Sequence, residues 1–308
     1  MTISDDVLAK EFSSHRAHLI GVAYRLTSTL SDAEDAVQEA WLRLSGLADD
    51  RRDEIEDLRG WLTTVVGRIC LDRLRSAVSR RERYVGPWLP EPIITPFGTP
   101  PGDDPLETVV RDEQVRLAAL VVLDKLTPEQ RVAFVLHDAF SVPFGEVAGI
   151  LGVSEATARQ HASRGRRAVA DADTPDLADL GEQRAVVERL LAAFSAGDLD
   201  GVVAVLHPDA VLIGDSNGKA RTARRHMVGS DKITRFMFGL AQLYGIHRIA
   251  LSEIVLVNGQ FALAIPALPA EGDYRDVERR VMTFDVRDGQ VTRIYDMCNP
   301  DKLTHFPL

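Results

Sequence analysis

Hydrophobic positions along this chain follow three successive patterns, separated by breaker-rich stretches. Over the first 80 residues they recur at helical spacing. Phe12, Leu19, Ile20, Ala23, Tyr24 and Leu26 form one stripe, and Ala33, Ala36, Val37, Ala40, Trp41 and Leu44 a second. Ser31 and Glu34 predict a capping box opening that second helix. Leu58, Leu62, Val65, Val66, Ile69 and Leu74 line a third. Residues 81–105 then carry Pro87, Pro90, Pro92, Pro96, Pro100, Pro101 and Pro105, seven of the fifteen prolines, which exclude helix and favour stiff extended backbone. Trp88, Leu89, Ile93, Ile94 and Phe97 are costly to leave in water there, so parts of this segment are expected to dock. Neighbouring helices are the simplest place for them.

Helical spacing returns in LTPEQRVAFVLHDAFSVPFGEVAGILGVSEATARQHASRGRRAV, residues 126–169. Thr127, Pro128 and Gln130 predict a capping box with proline at the first helical position. Val132, Val135, Leu136 and Phe140 share a face, with a break at 141–143. Val147, Ala148 and Leu151 make a second short stripe. Gly152 and Val153 close a tight turn, and Ser154 caps a third helix with Ala158 and Ala162 inward. This is the pattern of a helix-turn-helix, whose second helix can enter the major groove with its N-terminal residues at base edges and its arginines on phosphates. A plain helical hairpin with a solvated basic end fits the same spacing. The register of capping serine, small residues and arginines favours DNA binding.

After the acidic hinge DADTPDLAD the pattern becomes mixed. EQRAVVERLLAAFSAGDLDGVVAVL predicts two amphipathic helices parted at Gly197–Asp198, and 231–243 another helix. Strands are expected at 209–213, 249–257, 261–265, 277–286 and 290–297, with Asn258–Gly259 and Asp288–Gly289 as hairpin turns. The result is an α+β domain, helices cupped by an antiparallel meander. The chain as a whole is therefore multidomain: residues 1–80 all-α, 81–106 a linker, 107–172 an all-α helix-turn-helix domain, and 173–308 α+β.

Composition narrows the function classes. No apolar run approaches the roughly 20 residues that span a bilayer, so a cytoplasmic protein without membrane attachment is expected. Cys70 and Cys298 form no CxxC and the eight histidines show no ligand spacing, so neither a disulfide framework, a metal site nor a cofactor is expected. The net charge of −10 argues against a protein coated in nucleic acid. Its distribution matters more. Residues 1–58 hold 6 Lys/Arg against 13 Asp/Glu, whereas 59–83 hold 7 arginines against Asp72 and Glu82. In that basic helix Arg59, Arg68, Arg73, Arg75 and the Arg80–Arg83 cluster accompany Trp61. Arginines on phosphates beside an aromatic face suit melted DNA. The competing reading makes Trp61 a core residue and the arginines a solvated surface.

Three quoted stretches together carry a resemblance: DAEDAVQEAWLRL, then WLTTVVGRICLDRLR, then the helix-turn-helix run. They resemble the extracytoplasmic-function sigma factors of bacteria, over about residues 8–80 and 106–170. The resemblance implies that Asp35, Gln38, Glu39 and Leu42 grip the β′ clamp of the RNA polymerase core, with the second domain at the β flap. It implies that Arg59, Trp61, Arg68, Arg73 and Arg75 serve the −10 element, whose extruded base costs a few kcal/mol of unstacking. The −35 reader would be Ser154, Glu155, Thr157, Arg159, Gln160, Ser163, Arg164, Arg166 and Arg167. Many members carry T-V-K-S-R in that helix; here Thr157, Ala158, Arg159, Gln160 and His161 stand instead. Gln160 suits adenine and Arg159 guanine.

FSAGDLDGVVAVLHPDAVLIGD resembles the SnoaL-like, ketosteroid-isomerase-like cone domain. With WLPEP and the terminal NPDKL it is similar to the sigma-factor subgroup carrying a fused SnoaL-like regulator. That subgroup has D-G-G-G-K where Asp215, Ser216, Asn217, Gly218 and Lys219 stand; Asn217 still tolerates a left-handed backbone. The expected regulatory patch brings Trp88, Leu89, Pro90, Glu91 and Pro92 against Asp215, Gly218 and Lys219 and against Asn299, Pro300, Asp301, Lys302 and Leu303. Asp215, Asp296, His207 and Tyr295 are the candidates for an enzymatic base, but no spacing demands that they converge, and no enzyme is expected. The reading is an alternative sigma factor, monomeric, binding polymerase core and promoter DNA, with an unidentified small molecule as a further partner of the third domain. The rival is a one-component DNA-binding regulator with a ligand-binding or enzymatic domain, which would bind its operator alone.

Overall fold

The computed structural model describes residues 5–81, 84–98, 106, 109, 116–172, 178–249 and 251–304. The chain divides into two compact units, one of residues 1–82 and 100–174, the other of residues 83–99 and 175–308. The expected linker is thus shared out, its Trp- and Ile-rich part belonging with the C-terminal domain rather than with neighbouring helices.

The first unit is helical. Helices α1 (Asp5–Thr27), α2 (Leu30–Ser45), α3 (Asp49–Asp53) and α4 (Leu58–Arg81) precede the linker; α5 (Leu117–Leu123), α6 (Pro128–Phe134), α7 (Phe144–Leu151) and α8 (Glu155–Asp171) follow it. The α1, α2 and α4 stripes bury Leu19, Tyr24, Leu30, Val37, Leu62 and Val66, as their spacing predicts. The cap of α2 differs from expectation. Thr29, not Ser31, is its N-cap, because burial of Leu30 starts the helix two residues earlier, and Thr29 Oγ1 donates to Asp32 Oδ2 (2.8 Å).

The capping box of α6 forms as expected: Thr127 Oγ1 accepts from the Gln130 amide, and Gln130 Oε1 accepts from the Thr127 amide. A π-helical turn over Val135–Ala139 follows. Gly152 ends α7 at φ 70°, the left-handed turn between the two helices. Gly165 of α8 lets α6 approach closely, since a Cβ there would lie 2.8 Å from that of Phe134. Within this unit the two helical modules are packed together. Arg131, 1 % exposed, donates from Nε to the Arg25 carbonyl (2.9 Å) and from Nη2 to Ser28 Oγ (2.6 Å), and pairs with Asp124. Arg75 reaches Glu129 (3.1 Å) and Thr64 reaches Glu146 (3.1 Å).

The second unit is a seven-stranded mixed sheet covered by helices. β1 (Ile94–Pro96) comes from the linker. Helices α9 (Leu180–Ser195) and α10 (Leu199–Val205), then β2 (Leu206–Asp215), β3 (Met227–Val228) and α11 (Ser230–Tyr244) follow. A short α12 (Ile246–Ile249) leads into β4 (Glu253–Val257), β5 (Gln260–Ile265), β6 (Arg280–Arg287) and β7 (Gln290–Met297). The order is β1-β4-β5-β6-β7-β2-β3. The meander β4 to β7 is antiparallel as expected, but β2 joins β7 in parallel. Both hairpin turns are two-residue loops with left-handed backbone at Asn258–Gly259 and Asp288–Gly289.

Two expected strands begin late. Residues 246–249 are helical because the buried Arg248 guanidinium donates to the carbonyls of Tyr244, Arg275 and Pro269. Val277 makes only an isolated bridge with Leu268, and β6 starts at Arg280. The core lies between helices and sheet, with Val187, Leu190, Val202, Leu212, Ile233 and Phe284 among its members. Among the described residues no helix is long and apolar enough to cross a membrane.

Candidate nucleic-acid surfaces and linker anchor

Helix α8 carries the candidate base reader. Ser154 Oγ accepts from the Thr157 amide (3.2 Å), which fixes the first turn. Ala158 and Ala162 are buried, so Glu155, Arg159, Gln160, Ser163, Arg164, Arg166 and Arg167 are left on the solvent side, with Thr157 half-buried. Arg159 pairs with Glu155 and lies 5.0 Å from the Phe144 ring centroid. Arg166 donates twice to Asp138 Oδ1 (2.8 and 2.6 Å). Arg159 and Arg166 are thus aimed by acids, in surface pairs that cost little to exchange for a phosphate.

The basic helix α4 is less open than its sequence suggests. Arg68 is exposed, and Arg59 Nη2 lies 3.0 Å from His18 Nδ1. Burial, with Arg59 second, lowers the His18 pKa to about 4. Arg73, expected on DNA, turns back onto α2: it is 3.0 Å from Asp32, 3.5 Å from Asp35 and 3.9 Å from Glu39. Arg75, also expected on DNA, is held by Glu129. Trp61 is half-buried, at the edge of a hollow it shares with Leu47, Arg51, Ile55 and Asp57. It is neither a sealed core residue nor a free ring. The side chains of the Arg80–Arg83 cluster lie outside the described residues. On α2, Asp35, Gln38 and Leu42 face solvent, Leu42 at 61 % exposure, and Glu39 is half-buried.

The patch expected to be regulatory converges on one carboxylate. Asp215, fully buried at the end of β2, accepts at Oδ2 from the Leu89 amide (2.7 Å) and from Lys302 Nζ (2.8 Å), and at Oδ1 from the Tyr84 hydroxyl. Lys302 Nζ also donates to the Leu89 carbonyl and stands 3.3 Å from the Trp88 ring centroid. Asn299 Nδ2 donates to the Tyr84 oxygen (2.7 Å), and Asn299 caps the 3₁₀ turn Pro300–Lys302. Lys219 bridges Asp301, and the Val85 amide donates to Asn217 Oδ1 (3.2 Å). Asn217 has φ 48°, the left-handed backbone expected of it, and Gly218 lies against Val85. Leu89, Pro90, Glu91, Pro92 and Leu303 are buried. Burial first, and the Asp215 charge next, push the Tyr84 hydroxyl well above the usual tyrosine range.

The four candidates for a base do not come together. In the β2–β7 register Gly214 faces Asp296 and Asp215 faces Met297, so the two aspartates lie on opposite faces of the sheet. Tyr295 donates to Asp285 Oδ2 (2.9 Å), and His207 Nδ1 accepts from the Asp209 amide.

Three residues that the sequence reading passed over prove to be central. Tyr84 stands just outside the WLPEP run, and only a partner 131 positions away gives it a role. Asn258 was read as a turn residue; its Oδ1 also accepts from the Ile93 amide (3.1 Å) while its own amide donates to the Ile93 carbonyl (2.9 Å). Arg131, in an amphipathic helix, carried no signal of burial in the sequence.

Three family descriptions match the chain: sigma-70 region 2 over residues 12–80, sigma-70 region 4 over 116–169, and a SnoaL-like domain over 187–294. The ECF RNA polymerase sigma factor SigJ of Mycobacterium tuberculosis is 52 % identical over 303 residues, covering 97 % of this chain and 94 % of that protein. A probable ECF RNA polymerase sigma factor, SigI, of the same species is 35 % identical, covering 74 % and 75 %. The crystal structure of the M. tuberculosis extracytoplasmic function sigma factor SigJ superposes with a TM-score of 0.81 at 50 % identity, covering 97 % of this chain and 99 % of that one. The joint presence of regions 2 and 4 leaves the one-component regulator without support.

Proposed function

The chain belongs to the ECF RNA polymerase sigma factors, and we propose that its SnoaL-like domain controls promoter use by holding the linker between the two promoter-reading modules. As a sigma factor it directs RNA polymerase to specific promoters. In this reading Asp35, Gln38, Glu39 and Leu42 meet the β′ clamp of core polymerase, and region 4 meets the β flap. Arg59, Trp61 and Arg68 work at the −10 element, joined by Arg73 and Arg75 once their carboxylates release them. The exposed side of α8 works at the −35 element. The protein acts as a single copy, and the input to its third domain is a small molecule rather than a substrate to be turned over.

The observation that carries the control reading is the burial of Asp215 under Tyr84, Leu89 and Lys302. Residues 84–98 are thereby fixed on the C-terminal unit, and β1 pairs with β4. Fifteen residues set free and extended add about 50 Å of reach. Within the helical unit, the two modules clasped by Arg131 form one arrangement. Readers spread along a promoter form another, and the linker's release biases between them.

Transcription with core polymerase tests this, comparing the full chain with Trp88→Ala and with a chain ending before Asn299. Both variants should change promoter output relative to the full chain. Unchanged output from both would remove the control role. A protein that shifts its promoter DNA unaided but fails to copurify with core polymerase would remove the sigma-factor assignment as well.

A further inference from the structure

Charge in the C-terminal unit is unevenly placed. Residues 219–235 hold Lys219, Arg221, Arg224, Arg225, Lys232 and Arg235 against Asp231 alone, whereas the rest of residues 175–308 carries 17 Asp/Glu against 9 Lys/Arg. The fold turns these cations outward. Between β2 and β3 the loop is pinned by its inward side: Thr222 Oγ1 donates to Asp296 Oδ2 (2.6 Å), Ala223 is buried, and the Arg221 carbonyl accepts from Arg280 Nη2 (2.9 Å). Gly214 makes room for Thr222, since a Cβ there would lie 2.0 Å from Thr222 Oγ1. What remains for solvent is Arg221, Arg224, Arg225 and His226, all exposed. On α11, Ile233 and Thr234 turn inward and leave Lys232 and Arg235 exposed, three residues apart on one face.

Lys219 is tied to Asp301. The side chains of Arg221, Arg224, Arg225, Lys232 and Arg235 make no hydrogen bond or ion pair among the described residues. In this the loop differs from α8, whose Arg159 and Arg166 have carboxylates within reach. Uncompensated cations gathered on one surface of a chain whose net charge is −10 make a local field that favours an anionic partner.

We propose that residues 221–235 form a phosphate-binding surface by which the C-terminal domain holds the backbone of the promoter DNA that the two readers engage. Only the sigma-factor assignment is needed for this, not the linker control. A duplex presents one negative charge about every 1.7 Å along its axis, so long, freely hinged arginines find phosphates in many registers. An acidic protein would have to set a carboxylate opposite each cation. The DNA is also already at hand. A second surface on a chain that has bound it acts at an effective concentration of millimolar order, so a few phosphate contacts suffice. Such contacts read no base, and they add grip and salt dependence without sequence preference.

Promoter binding by the holoenzyme, measured across a range of salt, tests the surface. Arg224→Gln combined with Arg225→Gln should lower the slope of log affinity against log salt by about two units, which shrinks the affinity change between about 50 and 200 mM salt roughly tenfold. Each single substitution should account for about one unit. The ratio of affinities for promoters with intact and altered −35 elements should stay the same. Arg275→Gln combined with Arg287→Gln removes equal charge from exposed positions elsewhere on the domain, and should change the slope by less than about half a unit. All four side chains are exposed, so unfolding midpoints should match that of the unmodified chain. Equal slopes for the two double variants, or no fall with the loop variant, would overturn the proposal. Weaker binding of the loop variant to core polymerase without DNA would assign the surface to polymerase and overturn it as well.

Discussion

The α8 arginines and the Asp215 anchor both use charge, in opposite ways. On α8 the charges face water, and their acidic partners are local, at Glu155 and Asp138. At Asp215 the charge is buried and its partners come from positions 84, 89 and 302. An exposed charge can be given to another molecule at little cost to the fold, because solvent already screens it. A buried one cannot be moved without dismantling whatever it holds. The first arrangement suits recognition and the second suits a latch.

That contrast can be broken most sharply at the anchor. Lys302→Met leaves Asp215 buried without its cation and should destabilise the C-terminal unit by about 3 kcal/mol or more, read as a lower urea midpoint and faster protease cleavage within 84–98. Arg131→Ala should destabilise the helical unit by a comparable or slightly smaller amount, since it removes the buried cation that pairs with Asp124 and the donor to the Arg25 carbonyl. Ser154→Ala should cost about 1 kcal/mol through loss of the cap, with weaker −35 binding because the first turn of α8 frays.

Alkaline titration gives a more graded effect. The folded state keeps Tyr84 protonated above the pH at which the unfolded chain ionises it, so the folded state binds more protons there. Stability should therefore fall as pH rises above about 10. Tyr84→Phe should make that fall shallower, measured by thermal melting across the range. The smallest effect on the fold belongs to Arg164→Ala and Arg167→Ala. Stability should change by no more than about 0.5 kcal/mol, while holoenzyme binding to promoter DNA loses about one unit of salt dependence per phosphate contact removed.

The same contrast explains what was legible in the chain. Caps and turns are written within four residues of each other, so Thr127, Gly152, Ser154, Asn258–Gly259 and Asp288–Gly289 could be read directly. Amphipathic stripes were legible for the same reason. The anchor was not: no local rule places Tyr84 beside Asp215, and only family resemblance brought the three regulatory segments together in advance. The parallel pairing of β2 with β7 escaped likewise, because it joins strands more than 70 residues apart. The ion pairs of Arg73 and Arg75 were not legible either, because arginine on a polar face looks alike whether it meets DNA or a carboxylate from another helix.

The linker's three-residue strand carries one more consequence. Because β1 covers the rim of the sheet at β4, removing it uncovers the backbone amides and carbonyls of Val255–Val257, beside the partly exposed Ile254. Bare strand rims recruit other strands. A liberated linker would therefore expose the protein to self-association, and its freed form is safest when formed only with polymerase already in place to receive it.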